Sequence, residues 1–129
     1  MREAILTDGA PRAIGPYSQA IRVGEVIWVS GQIALDPRSG SMVSGGIEEQ
    51  TRQVLANLAA ILQEAGSSLD RVVKATVYLT NLEEFEEMNR VYSQSFTPPY
   101  PARVCVEVSR LPRGSRVEVD VIALAAGRS

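Results

Sequence analysis

The last apolar stretch, RVEVDVIALA at residues 116–125, constrains the fold more than any other segment. Its odd positions from 117 to 123 are all apolar, and a period of two is that of one face of a β-strand. A purely solvated opposite face would not carry large aliphatic residues, and an ordinary core face would not carry acids. The even positions hold both kinds: Glu118, Asp120, Ile122 and Leu124.

The preceding stretch, ARVCVEV at 102–108, alternates in the same way. Its valines predict a core-facing side, so Arg103, Cys105 and Glu107 should point to the opposite face of the sheet. A hairpin closed near 112–113 would then set Glu107 opposite Glu118, and Cys105 opposite Asp120. Because like charges directly opposite each other are unfavourable, either an arginine neutralises them, or one carboxyl has a raised pKa, or the register differs.

The remaining periodicities complete an α+β domain spanning residues 1–129. A 3.6-residue apolar period indicates a helix at 47–65 that Gly66 ends, and a second helix runs from about 81 until TPPYP stops it. The order is β-β-β-α-β-α-β-β, which favours a single mixed sheet of about six strands with both helices on one face. The predicted strands are 3–6, 17–23, 26–31, 72–80, 103–110 and 116–125.

The composition excludes several kinds of chemistry. There is no histidine, so neither a Ser-His nor a Cys-His nucleophile pair can form within the chain. There is a single cysteine, which excludes an internal disulfide and a cysteine-based zinc site. Acid–base work must come from carboxylates, tyrosine, lysine, the thiol or water. The net charge of −2 makes nucleic acid an unlikely partner. No segment has the length of a membrane span or signal peptide, so we expect a cytoplasmic protein.

Two helices cannot cover both faces of such a sheet, so self-association is the simplest way to bury the second face. On that face, Arg103 either forms a salt bridge, with Glu107 or with another chain, or anchors an anionic ligand. Glu118 is either a solvated or ion-paired strand residue or a carboxylate that activates water. Cys105 is by default a small buried residue, and a reactive thiol would need a positive, exposed setting.

Five segments in combination resemble the RidA (YjgF) family of reactive intermediate deaminases: IGPYSQA, WVSGQIALDPRSG, VVKATVYLTNLEEF, MNRVY and YPARVCVEVSRLPRGSRVEVDVIAL. The likeness runs from about residue 13 to 124. It implies a chorismate-mutase-like fold and a homotrimer with sites at the subunit interfaces. It also implies hydrolysis of enamines and imines such as 2-aminoacrylate and 2-iminobutanoate, released by pyridoxal-phosphate-dependent dehydratases, to 2-oxo acids and ammonium. No cofactor or metal is implied.

The resemblance also assigns roles to individual residues. Arg103 would grip the substrate carboxylate, the backbone around Cys105 would contact the imine nitrogen and carboxylate, and Glu118 would position the attacking water. Tyr17 would wall the cleft, and the pocket floor would be shaped by Ser30, Gly31 and Asn89.

Two other functions are compatible with the same residues. One is a non-catalytic regulator that binds 2-oxo acids, or a chaperone-like module. The other, which the acidic net charge disfavours, is a ribonuclease or translation inhibitor. The loop at 97–101 is shorter than the family pattern and carries Tyr100, which leaves substrate preference open.

Overall fold

A computed structural model describes residues 1–126 and confirms the predicted class and order of elements. The helices α1 and α2 pack on one face of a six-stranded sheet of order β1-β2-β3-β6-β4-β5. The elements are β1 (Glu3–Ile5), β2 (Ala20–Val23), β3 (Val26–Gln32), α1 (Ile47–Glu64), β4 (Val72–Leu79), α2 (Phe85–Ser93), β5 (Ala102–Glu107) and β6 (Val117–Leu124).

The two C-terminal strands do not form the predicted hairpin. Strand β6 lies between β3 and β4 and is antiparallel to both, whereas β5 pairs with the other edge of β4 in parallel. A parallel neighbour requires a crossover connection, and α2 supplies it between β4 and β5. The predicted pairings of Glu107 with Glu118 and of Cys105 with Asp120 are therefore wrong. Glu118 lies opposite Tyr78, and Cys105 lies opposite Val77.

The core lies between the sheet and the helices. The odd positions of β6 face it as predicted, and so does the apolar stripe of α1. Burying each such side chain contributes about 1.5–3 kcal/mol relative to leaving it exposed. Residues at most 1% exposed in this core include Ile27, Val54, Leu58, Ile61, Leu62, Val77, Leu79, Met88, Val119 and Val121.

Local signals set the helix ends. Gly46 precedes α1, and its N–H donates to Glu49 Oε2 at 3.2 Å. Gly66 follows the helix with a φ of +77°, in the left-handed region that glycine adopts at low cost. The second helix is shorter than predicted, because a 3₁₀ turn at Leu82–Glu84 precedes it and α2 starts only at Phe85.

The other face of the sheet is uncovered and apolar in part. Val104 and Val106, predicted to face the core, lie on this face and are 42% and 38% exposed. Strand β4 separates them from the acidic residues of β6, and Trp28 of β3 is half-exposed on the same face. This face therefore carries exposed apolar side chains together with the polar and acidic residues of β4 and β6. Among the described residues, no helix is long and apolar enough to cross a membrane.

Candidate functional site

Arg103 lies on the helix-covered side of the sheet, contrary to the alternation-based prediction. Arg103 is in register with Ala75, and Cys105 is in register with Val77. Ala75 and Val77 are fully buried in the core. The valines of β5 take the open face instead, where Thr76 and Tyr78 of β4 are their neighbours. The edge position of β5 leaves room for the arginine side chain to reach the end of α2.

Three side chains hold the Arg103 guanidinium. Arg103 Nη1 donates to Asn89 Oδ1 at 2.7 Å, and the guanidinium carbon lies 4.8 Å from the Tyr92 ring centroid and 5.6 Å from that of Phe85. Both distances fit cation–π attraction. In the described part of the chain, no carboxylate lies within ion-pair distance of Arg103. This fixed cation without a protein anion is suited to binding a carboxylate.

The aromatic partners of Arg103 were missed by sequence reasoning, which placed them in the apolar stripe of α2. Phe85, Asn89 and Tyr92 follow the spacing i, i+4, i+7, which puts them on one helix face. That spacing could have identified them as a group, although nothing local indicated that an arginine from β5 would lie against it.

A cleft of about 430 Å³ opens beside this cation. Besides Arg103 and its Asn89 and Tyr92 partners, the cleft is lined by Tyr100 and Pro101. The short 97–101 loop therefore contributes to the wall of the Arg103 cleft. Tyr100, the largest residue of this loop, is exposed.

Cys105 is half-buried and packs against the core. Burial raises the pKa of its thiol, an effect that the Arg103 charge only partly offsets. The thiol is therefore neutral near pH 7, because the thiolate is the form that desolvation disfavours. This setting does not activate the Cys105 sulfur as a nucleophile.

Glu107 has a structural role. Its Oε1 accepts the Leu82 N–H at 2.8 Å, which ties β5 to the turn that opens α2. No ion pair of Glu107 occurs within residues 1–126, so the predicted salt bridge between Glu107 and Arg103 is wrong.

A second cavity, of about 530 Å³, lies at the other end of the molecule. Tyr17, Ser30 and Gly31 all line it, so three residues that the resemblance assigned to substrate binding meet at one place. Tyr17 lies before β2 rather than inside it, and its hydroxyl accepts the Ile14 N–H at 3.1 Å. The Ser30 hydroxyl donates to the Ser18 carbonyl at 2.6 Å, which fixes this loop against β3.

Glu118 lies directly against Gly31. A Cβ at position 31 would stand 2.8 Å from Glu118 Cδ, so only glycine leaves the carboxyl in its place. Burial, followed by the nearby Asp120 charge, raises the pKa of Glu118 above its ordinary value. Asp120 in turn accepts a hydrogen bond from the Tyr78 hydroxyl at 3.0 Å. A carboxyl with a raised pKa can take up and return a proton closer to neutral pH than an ordinary glutamate can.

The Arg103 and Glu118 clusters are far apart within one chain. Their strands are separated by β4, and the register places Arg103 level with Val121, three residues from Glu118. Strand spacing and rise therefore put the two Cα atoms about 14 Å apart. They also lie on opposite faces of the sheet. A single chain cannot bring both side chains to one small molecule.

Among residues 1–126, no three histidine, cysteine, aspartate or glutamate side chains lie close enough together to hold a metal ion. The polar groups of the two clusters are the guanidinium and amide of Arg103 and Asn89, and the carboxyl and hydroxyl groups of Glu118, Asp120 and Tyr78.

The chain is similar to known proteins over almost its whole length. The chain is similar to a RutC family protein of Pyrococcus abyssi, with 56% identity over 122 residues, covering 95% of this chain and 96% of that protein. It is 46% identical over 124 residues to a human protein named 2-iminobutanoate/2-iminopropanoate deaminase, covering 96% and 90%. Its fold matches the crystal structure of E. coli TdcF with bound serine, with a TM-score of 0.90 and 38% identity, covering 96% of this chain and 99% of that one.

The family model described as Endoribonuclease L-PSP matches residues 7–125, which include both clusters and every strand after β1. The chain therefore belongs to the YjgF/RidA family that this model defines.

Proposed function

We propose that this protein hydrolyses 2-imino acids and their enamine tautomers, with 2-iminobutanoate and 2-iminopropanoate as substrates, to 2-oxo acids and ammonium. The observation that carries the proposal is the Arg103 guanidinium, which Asn89 and two aromatic rings hold in place and which no acid among residues 1–126 neutralises. Such a cation selects ligands that carry a carboxylate, and every substrate of this class does so.

The chemistry requires little beyond orientation. Water adds to the imine carbon, the carbon–nitrogen bond breaks, and the nitrogen leaves as ammonia while the oxygen remains as the carbonyl. Glu118 would accept a proton from the attacking water and return it to the departing nitrogen. Holding water and imine in place can supply most of the acceleration, because the imine is already electrophilic next to a carboxylate.

The same proposal includes a homotrimer in the cytoplasm with each site built from two subunits. Arg103 and the backbone at Cys105 would come from one protomer, and Glu118, Gly31, Ser30 and Tyr17 from its neighbour. Two facts support this assembly. The clusters lie on opposite sheet faces, and the open face carries exposed apolar residues that a second copy would cover.

Named relatives support the substrate class. The human relative is named as a deaminase of 2-iminobutanoate and 2-iminopropanoate, and the structural neighbour TdcF holds serine, which is also a small carboxylate.

A coupled assay tests the proposal. A threonine dehydratase generates 2-iminobutanoate, and the release of 2-oxobutanoate is followed with and without this protein. We expect acceleration by the protein, and a loss of about 10- to 100-fold in Arg103→Ala, since a hydrogen bond to a charged group contributes about 1.5–3 kcal/mol. Arg52→Ala removes an exposed arginine from α1, away from both clusters, and is the matched control.

Three results would contradict the proposal. The first is no acceleration by the native protein. The second is full activity in Arg103→Ala while Arg52→Ala behaves as native. The third is saturable binding of 2-oxobutanoate without any turnover, which would instead favour a non-catalytic regulator.

A further inference from the structure

The cavity beside Gly31 carries two arginines that the proposed reaction does not use. Arg12, from the loop before Tyr17, and Arg113, from the turn before β6, both line it. Neither makes an ion pair with any carboxylate in residues 1–126. Much of the remaining wall is apolar, with Ile14 and Leu35 among its residues.

Arg113 has an unusual backbone. Its φ is +60° and its ψ is 18°, and it is the one non-glycine residue of the described chain in the left-handed region. Its Nη2 donates to the Gly40 carbonyl at 3.4 Å. An arginine costs more than glycine in this conformation, and such strain is concentrated at functional sites.

The two arginines stand away from the reacting groups. The wall of the cavity includes both arginines and Gly31 but not Glu118, whose carboxyl lies against Gly31. A substrate whose imine carbon lay beside Glu118 would therefore extend its own side chain past Gly31 into the cavity, towards these cations. An acidic side chain would find two positive partners there, whereas a basic one would be repelled.

We infer that this cavity selects imines whose side chain bears a second carboxylate, that is, the imines of dicarboxylic amino acids. The inference rests on the proposed function and adds to it the substrate class. The bonds made and broken are the same as in the parent reaction, and only the group recognised in the cavity is new.

Stable products serve as binding probes. 2-Oxoglutarate and 2-oxohexanoate have similar lengths and differ mainly in the terminal carboxylate. Two partly exposed ion pairs contribute about 0.5 kcal/mol each, so we expect calorimetry to give about fivefold tighter binding of 2-oxoglutarate. The preference should weaken at high salt, because exposed charge pairs are screened.

Arg113→Gly is the most informative variant, because glycine accepts the left-handed backbone while the charge is removed. Alone and combined with Arg12→Ala, it should remove most of the preference for 2-oxoglutarate. Arg52→Ala makes the same change in net charge on α1 and should leave the preference as it is. Circular dichroism confirms that each variant is folded.

The kinetic test compares turnover of an acidic imine, generated by an amino acid oxidase from aspartate, with turnover of 2-iminobutanoate. We expect the ratio of the two rates to fall by about fivefold in the double variant. An unchanged ratio, or equal binding of the two probes by the native protein, would overturn the inference. If 2-iminobutanoate itself is not hydrolysed, the proposed function fails, so the two failures are distinguishable.

Discussion

The contact between Gly31 and Glu118 is the tightest constraint at the scale of single residues. A methyl group at position 31 would collide with the Glu118 carboxyl, whereas the backbone of Gly31 is not in the left-handed region and itself tolerates alanine. We therefore expect Gly31→Ala to fold but to displace Glu118, lowering turnover by about 100-fold if general-base assistance is lost. Gly46→Ala, at a glycine with open space around it, is the control for the assay. Native turnover in Gly31→Ala would contradict this account.

The raised pKa of Glu118 predicts the acid limb of the pH–rate profile. The ionised carboxylate accepts the proton, so kcat/KM should fall as pH decreases through a value above 4.5, the ordinary pKa of the group. Asp120→Asn removes one of the charges that raise this pKa, and should therefore shift the limb to lower pH. If the acid limb keeps its position in Asp120→Asn, either Glu118 is not the group that titrates there or Asp120 does not raise the pKa of Glu118.

The same pKa has a consequence for stability. Folding disfavours the charged form of Glu118, so above the folded pKa the native state is penalised relative to the unfolded chain, and below about pH 4.5 both states are protonated and the penalty vanishes. Glu118→Gln should accordingly raise the midpoint of thermal unfolding at pH 7, and the gain should shrink as pH falls towards 4.5. If the increase in the unfolding midpoint becomes larger as the pH falls, this prediction is contradicted.

Helix α2 acts as the platform for Arg103, at the scale of elements. Its Tyr92 ring lies under the guanidinium, and the Tyr92 hydroxyl is buried without a hydrogen-bond partner within the described residues. Tyr92→Phe keeps the ring and removes the unpaired hydroxyl. Tyr92→Leu removes the ring, and the lost cation–π attraction of about 0.5–2 kcal/mol should raise KM by about 3- to 30-fold.

The comparison of these two variants separates positioning from general packing. Tyr92→Phe should bind substrate as the native protein does and unfold no earlier. If Tyr92→Phe and Tyr92→Leu raise KM equally, the ring is not what holds Arg103.

Strand β5 shows where sequence reasoning succeeded and where it failed. The alternation of apolar residues correctly predicted the strands and the core face of β6, because that strand is paired on both sides and buried on one face. In β5 the valines indicated the wrong face, because β5 is an edge strand whose core side is only partly covered, which lets Arg103 lie there against α2. The parallel pairing of β5 with β4 could have been inferred from the β4-α2-β5 order, since a helical crossover favours parallel neighbours.

The site could be predicted only in part, for a similar reason. The resemblance grouped Tyr17, Ser30, Gly31 and Asn89 in one pocket, whereas in the single chain the first three line one cavity and Asn89 lines the other cleft. The aromatic partners of Arg103 and the strained Arg113 depend on contacts between segments that are distant in sequence, which periodicity does not encode.

Two separate clusters and an uncovered, partly apolar sheet face characterise the protein at the scale of the whole molecule. Arg103 lies on one side of the sheet and Glu118 on the other, so the proposed reaction requires a second copy of the chain. The charges that such an interface would enclose are tolerable if they contact substrate or one another, because an isolated buried charge typically costs several kcal/mol.

The most direct measurement is therefore complementation between two inactive variants. Arg103→Ala and Glu118→Gln are purified separately, shown to be trimeric by light scattering, mixed under conditions that exchange subunits, and assayed for 2-iminobutanoate hydrolysis. If each site takes Arg103 from one protomer and Glu118 from its neighbour, mixed trimers contain some intact sites, and activity should appear only after exchange. Exchange confirmed by mass spectrometry without any recovery of activity would contradict the account.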